Sequence, residues 1–327
     1  MRDYAARGRS GVPEAPHTQE ATDTRIHVDQ THLMSLEGQA RRMTLLPRQP
    51  AHSILNGRHA SRLRGRGLNF EELRGYLPGD DSRTIDWKVT ARTGKPHVRV
   101  YTEERDRPTL LVVDQRMAMY FGTQLNMKSV TAAEAATIAA FTTLNQGDRI
   151  GCILFDDNEL VELRPLQSRS NIDRMVDAMA RMNCAMNPNV IPGDPMPLNK
   201  PLEAAARIAK SNHLVMVVSD FDDIDDQTEQ LLTGIAQHND LLLFLVTDPV
   251  AHSLAEDWNV VISDGELQSL LNTTDPVKRA AIAEFTEERL AYIHGWQERL
   301  GVPVLPLSAG QPTLPQIQAL LGYRQQP

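Results

Sequence analysis

The stretch TLLVVDQRMAMYFGT, residues 109–123, decides how the rest of the chain is read. A short run of apolar and β-branched residues ends at Asp114, and the chain then turns polar. That is the pattern of a strand buried on both faces that delivers a carboxylate to the edge of a sheet. The pattern recurs downstream. Apolar runs near 149–155, 159–163, 213–219, 241–247, 258–262 and 302–307 alternate with helical periodicities near 129–145, 170–182, 199–210, 226–238 and 276–299. Strands alternating with helices predict right-handed crossovers and a doubly wound, mainly parallel α/β sheet covered on both faces. One pair departs from the rule. LFDDNEL at 154–160 leaves room only for a tight acidic turn, so its flanking strands form a hairpin and one edge strand is antiparallel. The last helix has Asp275 as N-cap and Pro276 at its first position. The stripes Met175, Met179, Met182 and Ile282, Phe285, Ile293, Trp296, Leu300 read as core-facing.

Working back towards the N-terminus, residues 61–108 are dense in Arg, Gly and Asp, with short extended pieces such as HVRVYTEE and a turn signal at LPGDD, residues 77–81. They predict a small basic β-rich segment. Before it, Leu33, Leu36, Ala40 and Met43 fall at helical spacings, and residues 1–24 read as a disordered polar tail. The expected organisation is a tail over 1–24, an N-terminal helix with the basic segment over 25–108, the α/β domain over 109–322 and a tail over 323–327.

The 327 residues are 41% hydrophobic and 23% charged, an ordinary globular composition. The formal net charge is −8, but it is uneven. Residues 58–107 hold twelve Lys or Arg against eight Asp or Glu, and the rest of the chain 22 against 34. The basic segment therefore either lies on the acidic body or docks an acidic partner. The acidic balance argues against general nucleic-acid binding, and so do aromatics that make up only 5% of the chain and do not interleave with the arginines. The start of the chain has no apolar signal region. Its longest apolar runs, such as LLLFLV at 241–246, fall far short of the about 20 residues that span a bilayer. Cys152 lies in an apolar run and Cys184 has no partner at framework spacing. A cytoplasmic protein with no membrane span is expected.

In a doubly wound sheet, ligands bind beyond the carboxyl ends of the strands. Two runs end there in acid: LLVVD at Asp114 and LVMVVSD at Asp220, followed by Asp222 and Asp223. The architecture and these two acids resemble a von Willebrand factor A domain. The metal-ion-dependent adhesion site of such domains uses an Asp-x-Ser-x-Ser strand end, a later Thr and a second Asp. Asp114 and Asp220 match the acids, whereas the serine positions fall on Arg116 and Ala118 and the threonine position near Met196. The resemblance thus implies a degenerate site with no metal. The guanidinium of Arg116 is expected to stand near the cation position and bridge Asp114 to Asp220, because buried acids require a partner. Two alternatives stay open: Arg116 exposed to receive a partner's carboxylate, or a residual Mg²⁺ on Asp114, Asp220 and Asp222.

The longest specific signal lies at 65–114, GRGLNFEELRGYLPGDDSRTIDWKVTARTGKPHVRVYTEERDRPTLLVVD. It resembles the family catalogued as domain of unknown function 58 in its Phe-x-x-Leu-Arg-x-Tyr at Phe70 to Tyr76, its Pro-Gly-Asp-Asp-x-Arg-x-Ile-Asp-Trp at Pro78 to Trp87, its Thr-Ala-Arg at Thr90 to Arg92, and its Glu-Glu-Arg-Asp at Glu103 to Asp106. The resemblance covers roughly 58–322. Within it, Arg74, Asp80, Asp81, Arg83, Asp86, Trp87, Arg92, Glu103, Glu104 and Arg105 form a two-signed charged signature. It reads either as an internal ion-pair lattice anchored by Ile85 and Trp87 or as a partner surface. The resemblance implies a companion of MoxR-type AAA+ ATPases, an adaptor or chaperone-like module acting on client proteins.

The sequence contains no phosphate-binding loop, no His-Glu-x-x-His, no Cys-x-x-Cys and no Gly-x-Ser-x-Gly. His97, His213 and His238 read as surface or strand-edge residues. The chain is therefore expected to be no enzyme and to need no cofactor. The competing reading is a Mg²⁺-dependent phosphodiesterase or nuclease built on Asp114, Glu134, Asp220 and Asp222.

Overall fold

The computed structural model describes residues 23–41, 43, 68–77, 80, 82–103, 107–187, 195–251, 259–263, 268–272 and 274–320. The tail expected over 1–24 lies almost wholly outside them, as do 323–327, Pro78, Gly79, Asp81 and Glu104 to Asp106.

Among the described residues the first elements are two short helices, α1 (Gln30–Ser35) and α2 (Glu37–Ala40). Asp29 caps α1 by accepting from the His32 N–H at 2.6 Å. A hairpin follows, β1 (Leu68–Gly75) and β2 (His97–Glu103), with α3 (Trp87–Thr93) inside its connection. The main body then runs β3 (Thr109–Asp114), α4 (Lys128–Asn145), β4 (Ile150–Phe155), β5 (Leu160–Leu166), α5 (Arg169–Ala185), α6 (Asn199–Ile208), β6 (Leu214–Ser219), α7 (Asp226–His238) and β7 (Asp240–Thr247). A second hairpin, β8 (Asn259–Ser263) and β9 (Gln268–Asn272), precedes α8 (Pro276–His294), α9 (Trp296–Arg299), β10 (Val304–Ser308) and α10 (Thr313–Leu320).

Six strands form one sheet in the order β10-β7-β6-β3-β4-β5. Every neighbouring pair is parallel except β4 and β5, the hairpin that the acidic turn at 156–159 demands. This is the expected doubly wound, mainly parallel α/β class with one antiparallel edge strand. The strand expected near 258–262 stands apart from that sheet, paired only with β9.

Period-two alternation divides the core into two layers. Leu111, Val113, Cys152, Leu154 and Met216 face α4 and α5; Leu110, Val112, Ile153, Val215 and Val217 face α6 and α7. Met175, Met179 and Met182 are buried, as their spacing predicts. The α8 stripe is only half core. Ile293 and Trp296 are buried, but Phe285 is 68% exposed, because only the last turns of α8 and the start of α9 join the second layer.

The N-terminal segment packs into the first layer through Val28, Leu33, Leu36, Ala40 and Met43. Polar contacts fix its position. Asn183 on α5, fully buried, accepts from the Val28 N–H at 2.8 Å and donates to Gln115 at 2.9 Å, and Gln115 donates to the Ser129 carbonyl at 3.0 Å. On the other side the His32 ring lies 2.7 Å from Glu134 of α4, whose second oxygen accepts from Thr313 of α10. The bond to Glu134 holds the His32 pKa above its ordinary value, against the opposing effect of partial burial. A raised folded-state pKa adds stability that is full below the unfolded histidine value of about 6.5 and is lost as pH rises through the folded value. His32→Gln should therefore lower the urea midpoint more at about pH 6 than at about pH 8.5. An equal loss at both would mean that the contact acts without charge.

Candidate functional site

The sheet order fixes where a site belongs. From β3 the chain moves to β4 and β5 on one side and then returns to β6 on the other, so the winding reverses between β3 and β6. The crevice at their carboxyl ends is the position at which this fold class binds ligands. Asp114 is the last residue of β3, and Asp220 directly follows β6.

Asp114 is fully buried and Arg116 is 2% exposed. The 3-10 turn Met117–Met119 begins straight after Arg116, and the Arg116 N–H already bonds Asp114 Oδ1 at 3.0 Å. This two-residue turn folds the side chain back onto the carboxylate it follows. Nη2 donates to Oδ2 at 2.8 Å, and Nε lies 3.1 and 3.2 Å from the two oxygens. The remaining donors reach the carbonyls of Met196 at 3.1 Å and Asp222 at 3.2 Å. Below, the guanidinium stands 5.5 Å from the centre of the Phe155 ring. Burial pulls the Arg116 pKa down, but Asp114 more than offsets this and the net shift is upward. The group is a fixed cation.

Asp220 is 6% exposed and has a different partner. Lys128, at the first position of α4, donates to its Oδ2 at 2.5 Å. Burial alone would raise the Asp220 pKa; the Lys128 ammonium overcomes that and the pKa is lowered. The expected bridge from Arg116 across both acids is thus corrected. There are two separate pairs, because the fork of Arg116 lies against Asp114 and its outer donors meet backbone carbonyls. Burial also means that Arg116 is not presented to a partner's carboxylate. Ala118 is half-buried in the 3-10 turn, and the buried Met196 contributes its carbonyl rather than a hydroxyl.

Two residues that sequence spacing did not select complete the arrangement. Lys128 is one. Ser219 is the other: its hydroxyl donates to Asp114 Oδ2 at 2.7 Å and accepts from the Phe221 N–H at 2.9 Å. Phe221 has φ 55° and Asp223 φ 58°, left-handed values that a bulky residue adopts only when the surroundings enforce them. Here the Phe221 ring is fully buried, edge-on to Trp296 at 5.6 Å. The Arg289 side chain from α8 closes the rim, donating to the Asp220 carbonyl at 2.7 Å and standing 3.5 Å from Asp222.

The donor set does not suit a divalent cation. Both oxygens of Asp114 already accept from Arg116, one also from Ser219, and a cation would have to displace the guanidinium. Among the described residues no group of three or more His, Cys, Asp or Glu is arranged to hold a metal. Glu134, named with these acids as a possible nuclease set, is bonded instead to His32 and Thr313.

Part of the charged signature upstream is tied locally. Arg74 forms a two-pronged pair with Asp80, both bonds 2.8 Å. Asp86 is buried and caps α3, accepting from the Lys88 and Val89 N–H groups. Ile85 bridges to Val98. Trp87 is 68% exposed at the first position of α3, which corrects its expected role as an apolar anchor. Arg83 and Arg92 are exposed. Glu103 ends β2, and Asp81, Glu104 and Arg105 lie outside the described residues.

The family described as Protein of unknown function DUF58 matches residues 72–291. The chain is similar to the uncharacterized proteins Rv1480 of Mycobacterium tuberculosis and Mb1516 of Mycobacterium bovis. Each is 29% identical over 285 residues, which cover 87% of this chain and 88% of the relative. Among solved structures it is similar to the conserved hypothetical protein BatB of Bacteroides thetaiotaomicron, with a TM-score of 0.36 and 9% identity over 65% of this chain and 98% of the other.

Proposed function

We propose, from the premise that this chain belongs to the family described as Protein of unknown function DUF58, that it is a non-catalytic protein-binding module. In this reading it works as an adaptor or chaperone-like partner of a MoxR-type AAA+ ATPase in the maturation of other proteins. The observation that carries the non-catalytic part is the pair of closed ion pairs at the strand ends. Asp114 and Asp220 are each paired with a cation of the same chain, which leaves neither strand-end acid as a free base or an open cation ligand. An A-like fold whose strand-end acids are occupied in this way grips partners through its surface. The ATPase partnership rests on the family resemblance of the signature at 65–114. No described helix is long and apolar enough to cross a membrane.

Capture from native lysate with and without ATP tests the reading. An AAA+ ATPase should be enriched in a nucleotide-dependent way, and its repeated absence would end the partnership proposal. Calorimetric titration with Mg²⁺ tests the site separately. No saturable heat is expected, whereas tight binding abolished by Asp114→Asn would restore the metal-dependent alternative.

A further inference from the structure

We propose that a second copy of this chain docks head to tail on the first, the α3 face around Trp87 of one copy meeting the α8 face around Phe285 of the next. The inference does not depend on the adaptor reading.

The first patch is cationic around an apolar centre. Val89 and Thr90 of α3 are half-buried towards β2, where Thr90 Oγ1 accepts from the His97 N–H at 3.1 Å. Trp87 is 68% exposed, Lys88 follows it, and Arg92 further round the helix and Lys95 just after it are exposed as well. None of these three cations has a carboxylate partner among the described residues. The nearest acid in sequence, Asp86, is buried as the helix cap.

The second patch is its complement. At about 100° per residue, Ala281, Phe285, Glu288 and Tyr292 share one side of α8, flanked by Val277 and Glu284. Phe285 is 68% and Val277 75% exposed. Glu284, Glu287 and Glu288 have no cationic partner among the described residues. Of the cations of the helix, Lys278 stands exposed beside Val277, and Arg289 is turned under to the Asp220 carbonyl and Asp222.

Each patch is thus a large exposed apolar side chain with charges mainly of one sign around it, cationic at α3 and, apart from Lys278, acidic at α8. Interfaces favour this composition, aromatic at the centre and polar at the rim. Both aromatics are exposed in a single copy, so the two patches do not cover each other within one chain. Because they are different surfaces, the contact is heterologous. It leaves a free patch at each end and so propagates into a ring or an open chain. Unpaired rim charges make the association strongly salt-dependent.

Analytical ultracentrifugation of the purified full chain in a concentration series tests this. At low salt the protein should form species larger than a monomer, which dissociate at high salt. Lys88→Glu with Arg92→Glu should abolish assembly, as should Glu284→Lys with Glu288→Lys. Mixing the two reversed variants should restore it, because every contact between unlike variants is again complementary. Trp87→Ala, which changes no charge, should weaken assembly in the same direction. All these positions are exposed, and circular dichroism verifies that each variant is folded. A wild type that stays monomeric at low salt overturns the proposal, even if its Trp87 face binds some other acidic protein. Reversed variants that still assemble on their own overturn it too. No ATPase is present in the experiment, so its outcome is separate from that of the capture assay.

Discussion

Replacing Arg116 with alanine will lower the stability of the protein by about 3–5 kcal/mol, the usual loss when one partner of a buried ion pair is removed. The loss follows from what remains. Asp114 is fully buried, and without the guanidinium it retains only the Ser219 hydroxyl and the backbone N–H at position 116 as donors. The Met196 and Asp222 carbonyls lose their donor as well. Arg116→Lys should recover only part of the loss, since one ammonium cannot serve a carboxylate and two carbonyls in the same fork. Urea denaturation followed by circular dichroism measures both. A loss below about 1 kcal/mol for Arg116→Ala, the range of an exposed pair, would show that the pair is hydrated rather than buried.

Lys128→Met should have a comparable effect, again about 3–5 kcal/mol, and its pH dependence carries a sign. In the wild type the Asp220 pKa is held below its ordinary value. Its contribution is therefore present above the unfolded carboxyl value of about 3.9 and is lost as pH falls through the folded value. With the ammonium gone, burial becomes the dominant influence and drives the Asp220 pKa upward. The variant then gains stability relative to the wild type as pH falls towards about 4, because its folded form binds a proton more tightly than its unfolded form. The gap between the two proteins should narrow steadily from about pH 7 to about pH 4.5. A constant gap would show that Lys128 acts through packing alone.

Much of this was legible in the sequence, for identifiable reasons. Short apolar runs ending in Asp114 and Asp220 gave both the parallel sheet and the two acids, because burial on both faces leaves few polar positions to confuse the reading. The acidic turn at 156–159 gave the antiparallel edge because chain length alone excludes a crossover there. Lys128 was hidden because its partner is 92 residues away in the chain and no spacing rule links them. The destination of Arg116 was half legible. A polar side chain two residues after a strand-end aspartate is well placed to fold back on it, but only the third dimension shows that its outer donors meet carbonyls rather than Asp220. Phe285 misled because an apolar stripe at helical spacing is usually core, and Trp87 because large aromatic side chains are usually buried; here both are exposed.

The N-terminal segment also imposes an order on events in the cell. Val28 bonds to Asn183 across 155 residues and His32 to Glu134 across 102. Ribosomes add about 5–20 residues per second, so Val28 and His32 wait several seconds after their own synthesis for the helices that receive them. During translation the apolar face of Leu33, Leu36 and Ala40 has no native cover until α4 and α5 have followed it.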